Sequence, residues 1–384
     1  MIRSVLAGRK IKVVIALYYY APYVSGLTVY AKWIAEALVQ RGYEVTIITS
    51  HYDASLPKQE VVNSVKVIRK PVWFRFGKGV IMPMFWLDVV RHAFKSDYVN
   101  IHLPMTEGGL ASLLIPQRKL VSTYHCDLYL GESFLDKIIT VISLGLMKLQ
   151  LTRSRVIIAN TRDYFEHSQM RRFIPKLLPV YPPVPAPSHV TDVQGFFKDL
   201  GVKKNEVKIG FVGRIVYEKG LSYLLGAIPY LRKELPDFKI IMMGDYAKVA
   251  GGGVKDELDK YMAQYPDNIL FTGFLDDADR NRFYAGLDVF ALPSIDPLES
   301  FGMVQVEAML GGAPVVASDM PGVREVIKQT GYGRISKPKD AKDIAKQIVE
   351  IVKHSQRYQP QKAAVQKYFN PEDTIDAYVD CMPR

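Results

Sequence analysis

The sequence has little of what would place it at a glance. Cys126 and Cys381 are its only cysteines, too few for a disulfide framework or a cysteine-built metal site, which favours a reducing compartment. No run of about 18 apolar residues occurs, so no membrane-spanning helix is expected. The N-terminus lacks the charged-then-apolar layout of a signal peptide, because strand-like residues begin almost at once, and a cytoplasmic protein is expected. The phosphate loop G-x-x-x-x-G-K-[ST] is missing, and the lone GYGRIS at 331–336 has no strand-then-helix context. Apart from Gly251–Gly253, which reads as a mobile loop able to cover a ligand, no low-complexity tract or fixed-period repeat occurs.

Hydrophobic residues make up 48% and charged residues 23%, an ordinary globular balance that excludes disorder, and 384 residues suit two domains. The net charge of +11 is unevenly spread. Residues 1–190 hold 24 Lys/Arg against 12 Asp/Glu, and residues 191–384 hold 26 against 27. The whole surplus sits in the N-terminal half, where nucleic acid, an anionic membrane face or a phosphorylated acceptor could use it. Simple solubility explains the same surplus.

Short apolar runs alternate with helical stretches. IKVVIALYYYAP reads as a strand buried on both faces, followed by a turn at Ser25-Gly26, the amphipathic helix VYAKWIAEALVQRG with Gly42 as its stop, and the strand EVTIITS. VKVIRK, YVNIHL, KLVSTYH and RVIIAN follow as strand candidates. IPKLLPVYPPVPAP carries six prolines, resists helix and central strand, and reads as an interdomain linker. The alternation then restarts with VKIGFVG, the helix LSYLLGAIPYLRKE and the strand FKIIMMG, and continues through NILFTG, VFALPS and APVVAS. The expectation is α/β: two Rossmann-like β/α/β domains over residues 1–188 and 189–365, with a late helix in 366–384 returning to the first. Ligands of such domains bind at strand carboxyl ends, which makes the cleft between the domains the expected site.

Two motifs carry chemistry. GFVGRIVYEKGLSYLL sets Gly210, Gly213, Arg214, Lys219 and Gly220 at a strand-to-helix turn, where glycines admit a ligand to the backbone and two cations suit phosphate oxygens. An ordinary turn with surface charges is the alternative. In ESFGMVQVEAMLGG, Glu299 lies just before a helix that starts at Phe301-Gly302, and Glu307 lies about two turns inside it. A helix would separate them by about 12 Å, a spacing that does not favour the paired carboxyls of a glycosidase, although side-chain reach and the loop start leave that use open. Two grips on one extended ligand, with helix-start amides between them for an anion, fit better than a shared acid/base pair. Two surface glutamates on an amphipathic helix remain the alternative. Asp277-Ala278-Asp279 matches an Asp-x-Asp metal pattern but precedes the helix RNRFYAGL, where acids have a structural reason to be.

The combination GR…EKG followed by Glu-x7-Glu around SFG resembles the nucleotide-sugar site of the family 4 retaining glycosyltransferases, which have the GT-B fold. The likeness extends over TGFLDDADRNRFYAGLDVFALPS and APVVASDMPGVREVI. It implies that Arg214 and Lys219 hold a donor diphosphate and that Glu307 takes the ribose hydroxyls. Glu299 and the backbone of Phe301, Gly302 and Met303 would take the hexose and adjacent phosphate, Gly213 would admit the backbone, and the base would lie near Gly273-Phe274. The N-terminal half matches more loosely. Ser25-Gly26 stands where the family has a Gly-Gly pair, keeping Gly26 as a backbone contact and putting position 25 in doubt. STYHCDLY resembles a strand-end His-x-Asp, implying that His125 contacts the donor sugar; Asp127 stays open, and His102 in NIHLP reads as a second-layer histidine.

The reaction so implied moves a hexosyl unit from a nucleoside diphosphate sugar, such as a UDP- or GDP-sugar, to a glycan, lipid-linked or small-molecule hydroxyl. Configuration would be retained, with no metal and no other cofactor expected, and with His125, Arg214, Lys219 and Glu299 at the chemistry. The alternatives are a nucleotide-sugar epimerase or a phosphorylase of the same fold, or a basic binding protein with vestigial catalysis. Nucleic acid is not the expected partner. RKPVWFRFGKGVIMPMFWL (69–87) and DKIITVISLGLMKLQLTRSR (136–155) interleave basic, aromatic and apolar residues, as a peripheral membrane segment does. Buried helices of an α/β domain look similar.

Overall fold

Apolar runs of four to eight residues, each too short to span a core as a helix, become the strands of two parallel sheets. The computed structural model describes residues 5–6, 9–76, 79–129, 131, 133–187, 190–244 and 254–382. The Gly251–Gly253 triplet therefore lies outside the described residues. The chain forms two compact units, Met1–Pro183 with Pro371–Arg384, and Val184–Asn370.

The first unit runs β1 (Lys12–Ala16), α1 (Gly26–Gln40), β2 (Glu44–His51), β3 (Gln59–Val62), β4 (Val65–Pro71), α2 (Phe85–Phe94), β5 (Tyr98–Leu103), α3 (Glu107–Leu114), β6 (Leu120–Tyr124), α4 (Phe134–Arg153), β7 (Val156–Ala159) and β8 (Leu177–Pro179). The sheet order is β8-β7-β6-β5-β1-β2-β4-β3, parallel except for the β3–β4 hairpin. Every residue of β5 and β6 is buried, as expected of strands covered by helices on both faces. Strand order reverses between β1 and β5, which opens a crevice at their carboxyl ends. Ser25 caps α1: its Oγ accepts from the Thr28 amide at 3.2 Å, and Thr28 Oγ1 accepts from the Ser25 amide at 2.8 Å. The residue that replaces a glycine is thus fixed by helix capping.

The second unit runs β9 (Val207–Val212), α5 (Leu221–Leu225), β10 (Phe238–Met243), β11 (Ile269–Gly273), α6 (Asp277–Ala285), β12 (Val289–Leu292), α7 (Met303–Gly311), β13 (Val315–Ser318), β14 (Gly333–Ser336) and α8 (Ala341–Lys353). All pairs are parallel in the order β11-β10-β9-β12-β13-β14, and the order reverses between β9 and β12. Leu221, Leu224 and Leu225 of α5 and Ile344, Ile348 and Ile351 of α8 cover β9 and β10 on one face. A final helix, α9 (Pro371–Asp380), belongs to the first unit. Its Ile375 and Tyr378 join Val13, Ile15, Tyr30 and Ile34 in one core, and its Glu372 and Asp376 each lie 2.5 Å from Arg41.

Local chemistry overrides the sequence reading at several points. The expected helix over LSYLLGAIPYLRKE is two short pieces, α5 and Ile228–Leu231. Pro229 lacks an amide proton and cannot continue the first piece. The proline-rich stretch is not all linker, since Leu177–Pro179 pairs with β7 as an edge strand, where a proline costs no interior ladder bond. Asp277 and Asp279 lie inside the first turn of α6 and not before it, because Asp276 is the cap, accepting from the Asp279 amide at 2.8 Å. The 69–87 segment is not one amphipathic element. It holds the end of β4, a small hairpin (Phe74–Phe76 with Gly79–Ile81) and the start of α2.

One glycine fixes how closely β9's turn approaches β12. Gly220 has φ +68, and a Cβ there would collide with the Pro293 carbonyl. Gly220→Ala should therefore destabilise the second unit by at least about 2 kcal/mol, from left-handed strain plus overpacking. Urea unfolding checks this; a loss under about 0.5 kcal/mol would mean the turn relaxes freely.

Candidate active site

In the second unit the turn after β9 and the loop after β12 meet across the strand-order reversal. The Ile295 amide donates to the Glu218 carbonyl at 3.0 Å. Asp296 shapes the loop: its carboxylate accepts from the Leu298 amide at 2.9 Å, and its carbonyl accepts from the Glu299 amide at 3.0 Å. This turn delivers the Glu299 carboxylate onto Lys219 Nζ as a part-buried ion pair. Arg214 stands exposed two residues after β9, with no ion pair among the described residues.

The helix start lies beside this pair. Gly302, at φ +79, caps α7 where a Cβ would collide with Leu292. The Phe301 ring is buried against Phe369, centroids 5.8 Å apart, so Phe301 can offer a ligand only its backbone. Gln305 Nε2 donates to the Phe301 and Val323 carbonyls at 2.5 and 2.9 Å. Three enclosed atoms of this unit, Ser294 Oγ, Gln305 Oε1 and Ser318 Oγ, have no partner among the described residues. Unsatisfied buried oxygens are uncommon in a core. The sequence reading singled out none of the three; Ser294 and Ser318 sit at strand ends, which was the one available signal.

Glu307 points elsewhere. Tyr284 Oη donates to its Oε2 at 2.8 Å, and both residues line a pocket of about 180 Å³ with Asp277, Arg280 and Asn281 of α6 and Pro185–Pro187. Burial, then the adjacent Glu307 charge, raises the Tyr284 phenol well above its ordinary range, so it stays a hydrogen-bond donor. The two glutamates therefore have separate partners, one ammonium and one phenol. Phe274 follows Gly273 at the end of β11 and is 78% exposed. Asp277 and Asp279 are paired with Arg280 at 3.0 Å and Arg282 at 2.6 Å, and no metal-holding cluster exists among the described residues.

In the first unit Gly26 opens α1, and His125 follows β6. His125 is 6% exposed, and its Nε2 lies 2.9 Å from Nδ1 of His102, which is 1% exposed. His102, set aside by the sequence reading as a second-layer residue, is thus the direct neighbour of His125. Parallel register brings them together, since Thr123 pairs with His102 and the His125 amide donates to the Leu103 carbonyl at 3.1 Å. Tyr30 packs edgewise on His125, ring centroids 4.9 Å apart. Its hydroxyl contacts Tyr378 Oη at 3.0 Å, which contacts Thr123 Oγ1 at 2.7 Å. Asp127 is held by Tyr124 Oη and by the Gln169 amide at 3.0 Å, which commits its Oδ1 to loop structure.

Burial pushes His125 down to about 3, and burial followed by the neighbouring His125 pushes His102 well below 6.5. The folded chain keeps both rings neutral, while the unfolded chain protonates near 6.5. Their contribution is therefore complete above that pH and is lost as pH falls toward 3. Unfolding free energy should drop from about pH 6.5 to about pH 5, by about 1.4 kcal/mol per pH unit for each ring. His102→Asn should flatten that slope in urea titrations; an unchanged slope would assign it to other groups.

Comparison with known proteins agrees with this architecture. Residues 24–184 match the profile of Glycosyltransferase Family 4, and residues 192–368 match that of Glycosyl transferases group 1. A phosphatidyl-myo-inositol mannosyltransferase of Mycobacterium leprae is 32% identical over 347 residues, 86% of this chain and 84% of that protein. An uncharacterized glycosyltransferase of Methanocaldococcus jannaschii is 28% identical over 375 residues, 87% of each. Anabaena HepE, solved in complex with UDP and glucose, superposes with a TM-score of 0.71 at 20% identity, covering 96% of this chain and 98% of that one. The chain belongs to the family 4, group 1, glycosyltransferases and has their GT-B fold.

Proposed function

We propose that this glycosyltransferase moves a hexosyl unit from a nucleoside diphosphate sugar to a hydroxyl of a lipid or glycan acceptor, retaining the anomeric configuration. The observation that carries the reading is the Lys219–Glu299 pair beside the α7 N-terminus. A lysine ammonium has three donors, so one spent on Glu299 leaves two for phosphate oxygens. Glu299 keeps an oxygen for a sugar hydroxyl. In this reading Arg214, Lys219 and the amides at Gly302 and Met303 stabilise the charge that grows on the leaving diphosphate. Glu307, already steadied by Tyr284, takes the ribose hydroxyls, and the base lies at Gly273-Phe274. His125 is assigned a contact with the donor sugar near its reacting carbon. No side chain is assigned as nucleophile; the departing phosphate oxygen takes the acceptor proton on the face it leaves, which gives retention without a metal.

The bound nucleotide of Anabaena HepE supports a UDP-sugar donor, and the name of the M. leprae relative supports a lipid hydroxyl acceptor. A thermal-shift series of UDP-, GDP- and ADP-sugars identifies the donor, because a ligand bound only by the folded chain raises its melting temperature. Lys219→Ala should lower kcat/KM by roughly a hundredfold to a thousandfold. Glu307→Gln leaves Tyr284 an acceptor and should weaken donor binding about tenfold with stability unchanged. Folded variants with wild-type rates and affinities would remove the assignment.

A lipid acceptor calls for a bilayer contact, and the first unit offers one chemically suited surface. No helix among the described residues is long and apolar enough to cross a membrane. Yet α4 exposes Phe134, Leu135, Ile138, Val141 and Ile142 on one stripe, Phe134 by 81% and Val141 by 71%. The adjacent α3 adds Leu110, Leu113 and Leu114, packed so closely that a Cβ on Gly109 would collide with the Leu146 carbonyl. Of the nearby acids, Asp88 pairs with Lys70 at 2.5 Å and Glu107 is buried against Tyr18, while Asp136 on α4 accepts from the Ser133 amide at 3.0 Å and keeps its charge. Lys137 on α4 and Arg91 on α2 carry no ion pair among the described residues, which suits anionic headgroups. We assign this face to an anionic bilayer. Flotation should show binding to phosphatidylcholine vesicles containing phosphatidylglycerol, weakened about tenfold by Val141→Asp with Ile142→Asp. Equal binding by the variant, or loss of a dimer in its place, would overturn the assignment.

A further inference from the structure

We propose that His102 is a positioning residue that fixes His125 in the tautomer with its proton on Nδ1, so that His125 presents an N–H at the end of β6. The inference deepens the function proposed above and rests on it for what that N–H meets; the tautomer itself rests on geometry alone.

Each neutral imidazole carries one proton, and His102 Nδ1 with His125 Nε2, 2.9 Å apart, can share only one between them. Two arrangements are open. If His125 donates through Nε2, the His102 proton must sit on its own Nε2, an enclosed atom without a partner among the described residues. That leaves a buried N–H unsatisfied, which proteins avoid more strongly than an idle lone pair. If His102 donates through Nδ1, its Nε2 keeps only a lone pair, and the His125 proton moves to Nδ1. His125 keeps 6% of its surface exposed against 1% for His102, so a proton on its Nδ1 costs less than one on the enclosed Nε2 of His102.

The neighbouring hydroxyls leave this choice in place. Thr123 Oγ1 donates to Asn100 Oδ1 at 3.1 Å, so it must accept from Tyr378, and Tyr378 must in turn accept from Tyr30. Every hydroxyl proton in that row runs toward Asn100 and away from the histidines. Tyr30 touches them with its ring, 4.9 Å from His125 and 6.2 Å from His102 between centroids, and so limits rotation without offering a competing partner. Burial keeps both rings neutral at working pH, so the tautomer, not the charge, is what the pair sets.

At the sugar, an Nδ1–H donates to an oxygen, whereas the other tautomer would offer only a lone pair. The test uses nitrogen NMR of the histidine-labelled full chain together with transfer kinetics. The wild type should show His125 as the Nδ1–H form. His102→Leu, which has no donor, should release that preference and lower kcat roughly tenfold to a hundredfold with a smaller change in donor KM. His102→Asn places an amide N–H where the imidazole Nδ1 was, and should restore both the tautomer and most of kcat. His102→Gln, which mimics Nε2, should not. A wild-type His125 protonated on Nε2, or a folded His102→Leu with wild-type kcat, overturns the proposal. Should the wild type transfer no sugar to any acceptor, the function proposed above fails while the NMR result still decides the role of His102.

Discussion

Parallel sheets concentrate uncommitted backbone at strand carboxyl ends, and in the second unit one close approach turns that geometry into a site. Gly220 lets the turn after β9 lie against the Pro293 carbonyl at the end of β12. Any side chain there would push the two apart. From this contact follow the Ile295-to-Glu218 hydrogen bond and the Lys219–Glu299 pair. Gly302 repeats the device one turn later, bringing the α7 N-terminus over Leu292. Two glycines thus gather a cation, a carboxylate and a helix start at the strand-order reversal.

The first unit solves a different problem. Its central strands β5 and β6 place Asn100, His102, Thr123 and His125 on the face that α1 and α9 cover. Polar side chains so enclosed cost stability unless they find partners. His102 and His125 pair with each other, Thr123 serves Asn100, and Tyr378, itself bonded to Tyr30, serves Thr123. The final helix is therefore part of the polar layer under His125 as well as of the apolar core, which ties the last residues of the chain to its first sheet.

Much of this was legible in the sequence. Short apolar runs marked the strands because parallel strands are apolar on both faces, and Gly302 and Gly312 bounded α7 because left-handed positions exclude most other residues. What escaped reading depends on partners distant in sequence. Ser25 looked like an imperfect glycine until its capping box with Thr28 was visible. His102 looked like filler because its relation to His125 is set by strand register. Glu299 and Glu307 share a helix region, yet one faces Lys219 and the other Tyr284, on opposite sides of the sequence spacing that joins them. Pro229 could have announced the helix break by itself; helical periodicity on both sides hid it.

In the candidate site the resting charges of Lys219 and Glu299 offset one another. An unpaired lysine beside a helix N-terminus would carry two like fields into one half-buried spot, and each would raise the cost of the other. Glu299 offsets this before any anion arrives, and it does so without exhausting the donors of Lys219. On the function proposed above, a diphosphate would add to a preformed pair and meet donors already aimed, leaving little reorganisation for the step in which charge develops. The same logic explains why Tyr284 is buried against Glu307. A carboxylate that is to accept two vicinal hydroxyls gains from having one oxygen fixed, because the remaining lone pairs then point in a defined direction. In both places the protein supplies one partner to each carboxylate, and the proposed function assigns the other valences to the ligand.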